Sequence, residues 1–363
     1  MDEDAPRGDA IRFTGNWQDF APIAFTNLLL TIVTLGIYTF WARARVRRYL
    51  WSHTRFIDDP LEWTGTGLEL FLGYVLAFVL ILVPFGVINL VLQGVLLRGH
   101  AGIGGLIVLV LYIMILFLAG VALFRALRYR LSRTYWHGIR GGSDDQGIAY
   151  GWSYLWRTIA GIFTLGLMIP WSMTNLWNGR WNAMSFGPYE FRSDANWSPV
   201  FARFLLFYLA PILLFGFVMV LAVTLAPLMN GFDPANPGRG AMIAFAAGAA
   251  LFYVIYFGLL GVIAMIFYSA YMREAIGSLA IGDLSFSFTA TAWQWIKLFL
   301  GNIGLVIVTL GIGYIFVGYR NWAFAARHLH VHGELSFSEL TQSQTRAPGQ
   351  GEGLLDAFDM GAF

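Results

Sequence analysis

No cysteine occurs anywhere in the chain, which excludes disulfides, thiolate metal sites and cysteine nucleophiles together. It leaves the compartment open. Charge is also scarce: Asp, Glu, Lys and Arg make up 12% of the 363 residues, about half of the roughly 25% typical of a soluble domain. The formal net charge of +2 is too small to point to nucleic acid as a partner. Catalytic signatures are missing as well. There is no nucleophile elbow, HExxH zinc motif, phosphate loop or dinucleotide fingerprint, so the sequence predicts neither an enzyme nor a bound cofactor. The opening "MDEDAPRGDA" lacks the basic and apolar regions of a signal peptide, and no cleavage is expected.

What the chain has instead is apolar length. Residues 68–97, 103–126, 204–228 and 242–271 each exceed the roughly 20 apolar residues that a membrane span needs, and the charges within them are confined to Glu69 and Arg125, each within two residues of a segment end. The absence of a mid-span Asp, Glu or Lys argues against a carboxylate proton relay. Asn89 and Gln93 lie one helical turn apart, and the small residues of "AFAAGAALF" (244–252) permit close helix packing and self-association. Trp41, Trp51, Trp63, Trp152, Trp156, Trp171, Trp177, Trp181, Trp293 and Trp295 fall near the expected interfaces, as an aromatic belt would.

A second pattern lies between the spans. Thr-Leu-Gly occurs at 34–36, 164–166 and 309–311, too far apart and too few for a solenoid. Seven residues before each Thr stand Asn27, Arg157 and Asn302; eleven after stand Arg45, Asn175 and Arg320. Each copy opens on a strand-like piece, "IRFTG", "IAYGW" or "LSFSF". Each closes on an alternating β-hairpin pattern, "RFIDDPLEW", "SFGPYEF" or "HVHGELSF", with turns expected at Asp-Pro, Gly-Pro and His-Gly.

The expected fold is therefore an all-α multi-pass membrane protein with three pseudo-repeats, each a re-entrant or interfacial helical hairpin with a small cytoplasmic β-hairpin. Two transmembrane helix pairs separate them. The expected divisions are a polar tail (1–10), first unit (11–67), helix pair (68–128), second unit (129–198), helix pair (199–275), third unit (276–340) and flexible tail (341–363). The helix before the first break is about 14 residues, or about 21 Å, against a bilayer core of about 30 Å. Arginines flank the second unit on both sides, which favours even crossing and four spans with cytoplasmic termini. The alternative is seven spans, with the β-hairpin of the second unit outside.

The stretch "NLLLTIVTLGIYTFWARARVRRYLWSHT" followed by "LEWTGTGLELFLGY" resembles the N-terminal signature of the YjgN-like family of bacterial inner-membrane proteins, a domain of unknown function. "TLGLMIPW…NGRWNAMSFGPYEF" and "TLGIGYIFVGYRNWAFAARHL" resemble its middle and last sections. The resemblance implies an inner-membrane location and, as a candidate partner, a membrane metallopeptidase. The chain departs from the family pattern at Ile315-Phe316, where Pro-Trp is usual, and at Arg157.

Three groups are candidate sites. Asn27, Arg157 and Asn302 sit at equivalent positions before the breaks. Polar groups there are costly in a bilayer, so they either converge on a pocket for an anionic or hydrogen-bonding ligand, or tether their own hairpins. Arg43, Arg45, Arg47 and Arg48 are expected to set topology and meet lipid headgroup phosphates. His328, His330 and His332 share a side if they lie on a strand and form a candidate metal site, the competing reading being a wet juxtamembrane strand. The expected function is a non-enzymatic scaffold or adaptor binding membrane lipids or a partner protein. The rival is a transporter or channel for a small or lipidic solute, which a polar cavity reaching Asn27, Arg157 and Asn302 would favour.

Overall fold

Three helical hairpins and three long apolar helices stand on one curled antiparallel sheet in the computed structural model, which describes residues 10–225, 238–333 and 341–346. In chain order, β1 (Ile11–Phe13), α1 (Trp17–Val33), α2 (Thr39–Ser52) and β2 (Thr54–Phe56) make the first hairpin, followed by β3 (Asp59–Pro60) and β4 (Glu62–Trp63). Helix α3 (Gly67–Ala77) passes through a π turn (Phe78–Leu82) into α4 (Val83–Leu97), and α5 (Ala101–Arg133) returns to β5 (Thr134–Trp136). The second hairpin is β6 (Ile139–Gly142), α6 (Ile148–Phe163), α7 (Ile169–Trp181) and β7 (Ser185–Phe186), with β8 (Tyr189–Ser193) after it. Then come α8 (Ser198–Phe204), α9 (Leu206–Leu225), α10 (Arg239–Gly277) and β9 (Leu279–Ile281). The third hairpin is β10 (Leu284–Phe288), α11 (Ala292–Val308), a 3₁₀ turn (Ile312–Phe316) running into α12 (Val317–His328), and β11 (Leu329–His332).

The three Thr-Leu-Gly breaks share one backbone geometry. Leu35, Leu165 and Leu310 have φ of 51°, 52° and 51°, and Gly36, Gly166 and Gly311 have 93°, 88° and 96°. The glycine N–H donates back to Thr31, Gly161 and Val306, and the leucine N–H to Ile32, Ile162 and Ile307, the double closure of a Schellman cap. The threonine joins the two helices. Its hydroxyl donates to the carbonyl four residues back (Leu30, Ala160, Leu305) and accepts the N–H four residues on (Tyr38, Met168, Gly313). One side chain thus satisfies a backbone group on each side of the break.

The strands that flank each helical hairpin pair with each other: β1 with β2, β6 with β7, and β10 with β11. Around these pairs an eight-stranded sheet runs in the order β11-β10-β9-β8-β7-β6-β5-β4, beside a three-stranded sheet β1-β2-β3. Strands β3 and β4 are one extended segment broken at Leu61, whose N–H still donates to Thr54, so the two sheets run into each other. At the far edges β11 comes alongside β1, and the ring nearly closes. Its inner side holds an apolar cluster of Phe124, Met184, Phe191, Ile281, Leu284 and Val331.

Several expectations are corrected. The protein is not all-α, because strands from all three units join one eight-stranded sheet. "IAYGW" is the start of α6; the strand entering the second hairpin is "IRGG", whose glycines hid it from a β-former count. The first β-hairpin turns at Ile57-Asp58, with Ile57 at φ 59°, while Asp59-Pro60 lies on a strand. Of "HVHGELSF", residues 334–337 lie outside the described residues. Trp51, Trp63 and Trp177 are buried and serve as core rather than belt. In the tail, residues 341–346 lie along the second unit, with Gln342 Nε2 donating to Gly138 O and the Arg346 N–H to Asp144.

Among the described residues three helices are long and apolar enough to cross a membrane: Ala101–Arg133, Ser198–Val220 and Phe245–Gly277. The expected span at 68–97 is helical but widens at Phe78–Leu82, just ahead of Pro84. A proline cannot donate its i→i−4 bond, and a π turn accommodates that gap.

Candidate functional site

A cavity of about 490 Å³ lies between the first and third hairpins. Asn27, Arg43 and Arg47 line it from the first hairpin, Asn321 and Trp322 from the third, and Arg130 from α5. Arg43 and Arg47 share a helix face because they are four residues apart. Arg47 is 8% exposed, and its guanidinium stacks 5.1 Å above the ring of Trp63. Thr31, Tyr314 and Ile315 line it near the hairpin tips.

Unit-to-unit packing builds the wall behind this cavity. Trp51 stacks on Trp322 at 4.3 Å, Trp322 Nε1 donates to Thr54 Oγ1 at 2.8 Å, and Phe20 stacks on Tyr319 at 5.1 Å. Tyr319 donates to the carbonyl of Gly15, and Tyr49 to that of Asn16. Burial pushes both phenols above their ordinary range, opposed at Tyr49 by its backbone hydrogen bond to Asn16 and at Tyr319 by the charge of Arg327. Both remain neutral donors and hold the hairpin bases together.

Asn27 is 6% exposed. Its Nδ2 donates to Ala42 O at 3.3 Å, and its Oδ1 accepts from Arg45 at 3.1 Å. Arg45 also donates to the Tyr38 hydroxyl. The side chain therefore tethers α1 to α2 while bordering the cavity. Arg157 lies in the second hairpin, away from this cavity, with its guanidinium 5.0 Å from Trp156 and 5.1 Å from Trp171. Asn302 donates to Asn321 at 2.9 Å and so stands one hydrogen bond behind the lining. The three equivalent positions do not meet in one pocket.

Of the four clustered arginines, Arg43 and Arg47 face the cavity, Arg45 is committed to Asn27, and Arg48 is exposed. His328 ends α12 and bonds the carbonyl of Phe324, so only His330 and His332 lie on β11, beside Thr289 and Ser287. Among the described residues no three His, Cys, Asp or Glu side chains form a metal-holding group.

Sequence reasoning missed Arg130, Asn321 and Trp322. Arg130 looked like one more topology charge, and Asn321 is one residue beyond the position that matched the repeat. No local pattern marks either. Only the packing of the third hairpin on the first does.

Long apolar helices, most of their surface outside any protein core, and a cation-lined cleft beside a sheet define the class: a helical membrane protein with a β-ring at one end. The chain belongs to the family described as bacterial protein of unknown function (DUF898), whose profile matches residues 9–357. It is 25% identical to the inner membrane protein YjgN of Salmonella typhimurium over 92% of this chain and 90% of that protein. It is 29% identical to the inner membrane protein YjgN of Escherichia coli O157:H7 over 35% of this chain and 29% of that one. These matches agree with the resemblance carried by the Thr-Leu-Gly segments. No solved structure matches.

Proposed function

We propose that the chain is a multi-pass bacterial inner-membrane protein without catalytic chemistry of its own, a scaffold that holds membrane lipid or a partner protein. Its three helical hairpins are repeated re-entrant units, and its β-ring lies on the cytoplasmic face. One observation carries this reading: the strands entering and leaving each hairpin are hydrogen-bonded to each other. Ends tied in this way belong on the same side of a bilayer. The hairpin helices are 16 or 17 residues on the entering side, about 25 Å long, short of the roughly 30 Å core.

The tips support it. Leu35, Leu165 and Leu310 are 94%, 83% and 93% exposed, beside exposed Val33, Phe163 and Val308. Apolar tips of this kind suit hydrocarbon rather than water. Arg125, Arg128, Arg133 and Arg192 gather toward the ring, in line with a cytoplasmic face, and the YjgN relatives are named inner membrane proteins. The cavity reaches Asn27 but neither Arg157 nor Asn302, which favours a scaffold over a transport path through all three units.

Because the chain has no cysteine, single-cysteine labelling is clean. Asp58→Cys, Glu190→Cys and Asp283→Cys, one exposed position near each β-turn, should react with an impermeant maleimide from the cytoplasmic side only. Labelling of Glu190→Cys from the opposite side to the other two would sink the re-entrant reading. Mass spectrometry of lipid carried through purification tests the scaffold role, which fails if no lipid remains at stoichiometric level and no protein co-purifies.

A further inference from the structure

We infer that Arg157, framed by Trp156 and Trp171 on the second hairpin, is a binding site for the phosphate of an anionic phospholipid, with an acyl chain laid in the apolar cleft beside Trp171. This deepens the lipid-holding reading above and rests on it.

The three hairpins differ at this position in a way that points to a ligand. In the first, Asn27 is bonded to Arg45 across the hairpin, and in the third Asn302 is bonded to Asn321. In the second, Asn175 stands where Arg45 does, but its amide donates to Trp171 O within its own helix. Arg157 is left with one hydrogen bond, from Nη1 to Ser153 O at 3.5 Å, and among the described residues no carboxylate pairs with it. Four of the five N–H donors of a guanidinium are therefore unused. Nε is buried without a partner, whereas Nη2 is unbonded and open to the surface.

The two tryptophans hold this cation in place for an incoming anion. Their rings lie 5.0 and 5.1 Å from the guanidinium carbon and 5.6 Å from each other. A stacked guanidinium keeps its N–H groups in its own plane, where they match two phosphate oxygens at once.

Depth and surroundings select a lipid. Nη1 turns back toward Ser153, five residues into α6 and so about 8 Å from the start of the helix. That is the direction of the headgroups when the β-ring lies at the membrane surface. The flanking surface of α6 is apolar, with Trp152, Ile162 and Phe163 exposed. Trp171 is also a wall of an open cleft of about 530 Å³, lined by Thr164, Leu167, Met168, Trp197 and Phe201. Thr164 and Leu167 belong to the hairpin tip, so the cleft extends deeper than the guanidinium. A lipid uses both the cation and the cleft; a soluble phosphate compound uses the cation alone.

The experiment is native mass spectrometry of the full chain in detergent micelles with added phosphatidylglycerol or phosphatidylethanolamine. Phosphatidylglycerol should be retained better, because the ammonium of phosphatidylethanolamine offsets its own phosphate. Arg157→Gln should weaken phosphatidylglycerol retention about fivefold. Trp171→Leu removes the stack and a cleft wall but no charge, and should weaken it about two- to fivefold. Arg192→Gln, at an exposed cation of the same unit, should change it by less than about twofold. Size-exclusion profiles identify misfolded variants, and Trp171→Leu carries the decision if Arg157→Gln is one of them.

Unchanged phosphatidylglycerol retention in Arg157→Gln, or in Trp171→Leu where that variant alone folds, overturns the site. An equal loss in Arg192→Gln overturns it too, reducing the effect to surface charge. Displacement of phosphatidylglycerol by millimolar glycerol 3-phosphate assigns the arginine to a soluble phosphate compound and overturns the lipid. The two proposals fail separately. Opposite-side labelling of Glu190→Cys with retention still dependent on Arg157 removes the re-entrant topology alone. Cytoplasmic labelling, with bound lipid indifferent to Arg157, removes the site alone.

Discussion

Replacing the tip leucines by glycine sets two physical effects against each other, and their balance reports where the tips reside. Leu35, Leu165 and Leu310 occupy the left-handed region at φ of 51°, 52° and 51°, which costs a side chain with Cβ about 1 kcal/mol or more relative to glycine. Leu→Gly removes that strain, while the extra freedom of glycine in the unfolded chain offsets about 0.5–1 kcal/mol. In water the net change is a gain of up to about 1 kcal/mol per turn, because a side chain 94% exposed at Leu35 loses almost no protein contact. In hydrocarbon the same change forfeits the transfer of a leucine side chain, about 1.5–3 kcal/mol. The expected result in bicelles is destabilisation by about 1–2 kcal/mol per turn, read from reversible unfolding in SDS by circular dichroism. Leu35→Asn serves as the control, since asparagine tolerates the same backbone region yet keeps a polar side chain. Neutral or stabilising Leu35→Gly and Leu310→Gly would refute lipid immersion of the tips. Leu165 is the less clean site, because its carbonyl accepts from Tyr208.

Two further outcomes test the packing. Gly120→Val should destabilise by about 1–3 kcal/mol in thermal melts, because a Cβ there would sit 2.6 Å from Tyr154 Cβ and 3.0 Å from Gly151 Cα; Gly94→Ala, with nothing within 4 Å, should be neutral or up to about 1 kcal/mol stabilising. Trp322→Phe should cost about 1 kcal/mol by removing the hydrogen bond to Thr54, and a double-mutant cycle with Thr54→Val should show coupling, whose absence would mean that the third hairpin is not held to the first by this contact.

The hairpin turn was legible because its causes are local. Threonine, leucine and glycine in that order supply the bridging hydroxyl, the exposed apolar tip and the positive-φ residue within one cap. Asn27 and Arg45 were both marked by the repeat offsets, and they are in fact hydrogen-bonded at 3.1 Å. Their equivalents show why repetition was an incomplete guide. Arg157 turned to two tryptophans, and Asn302 took Asn321 rather than Arg320 as its partner. Strand content was underestimated for a related reason. "IRGG" and two-residue strands such as Glu62–Trp63 carry little alternation of their own and exist because a neighbour pairs with them.

The sequence by itself determined the apolar spans, the three breaks and the β-hairpin after each of the first two, since hydropathy, cap chemistry and turn propensity act over a few residues. Tertiary structure alone decided that the strands of all units join one ring, that the third hairpin packs on the first through Trp322, Thr54 and Trp51, and that Arg43, Arg47 and Arg130 face one cleft. Those outcomes depend on contacts between residues some 270 to more than 300 positions apart. Burial of aromatic surface and completion of backbone hydrogen bonds select such contacts, and neither is written in any local stretch of chain.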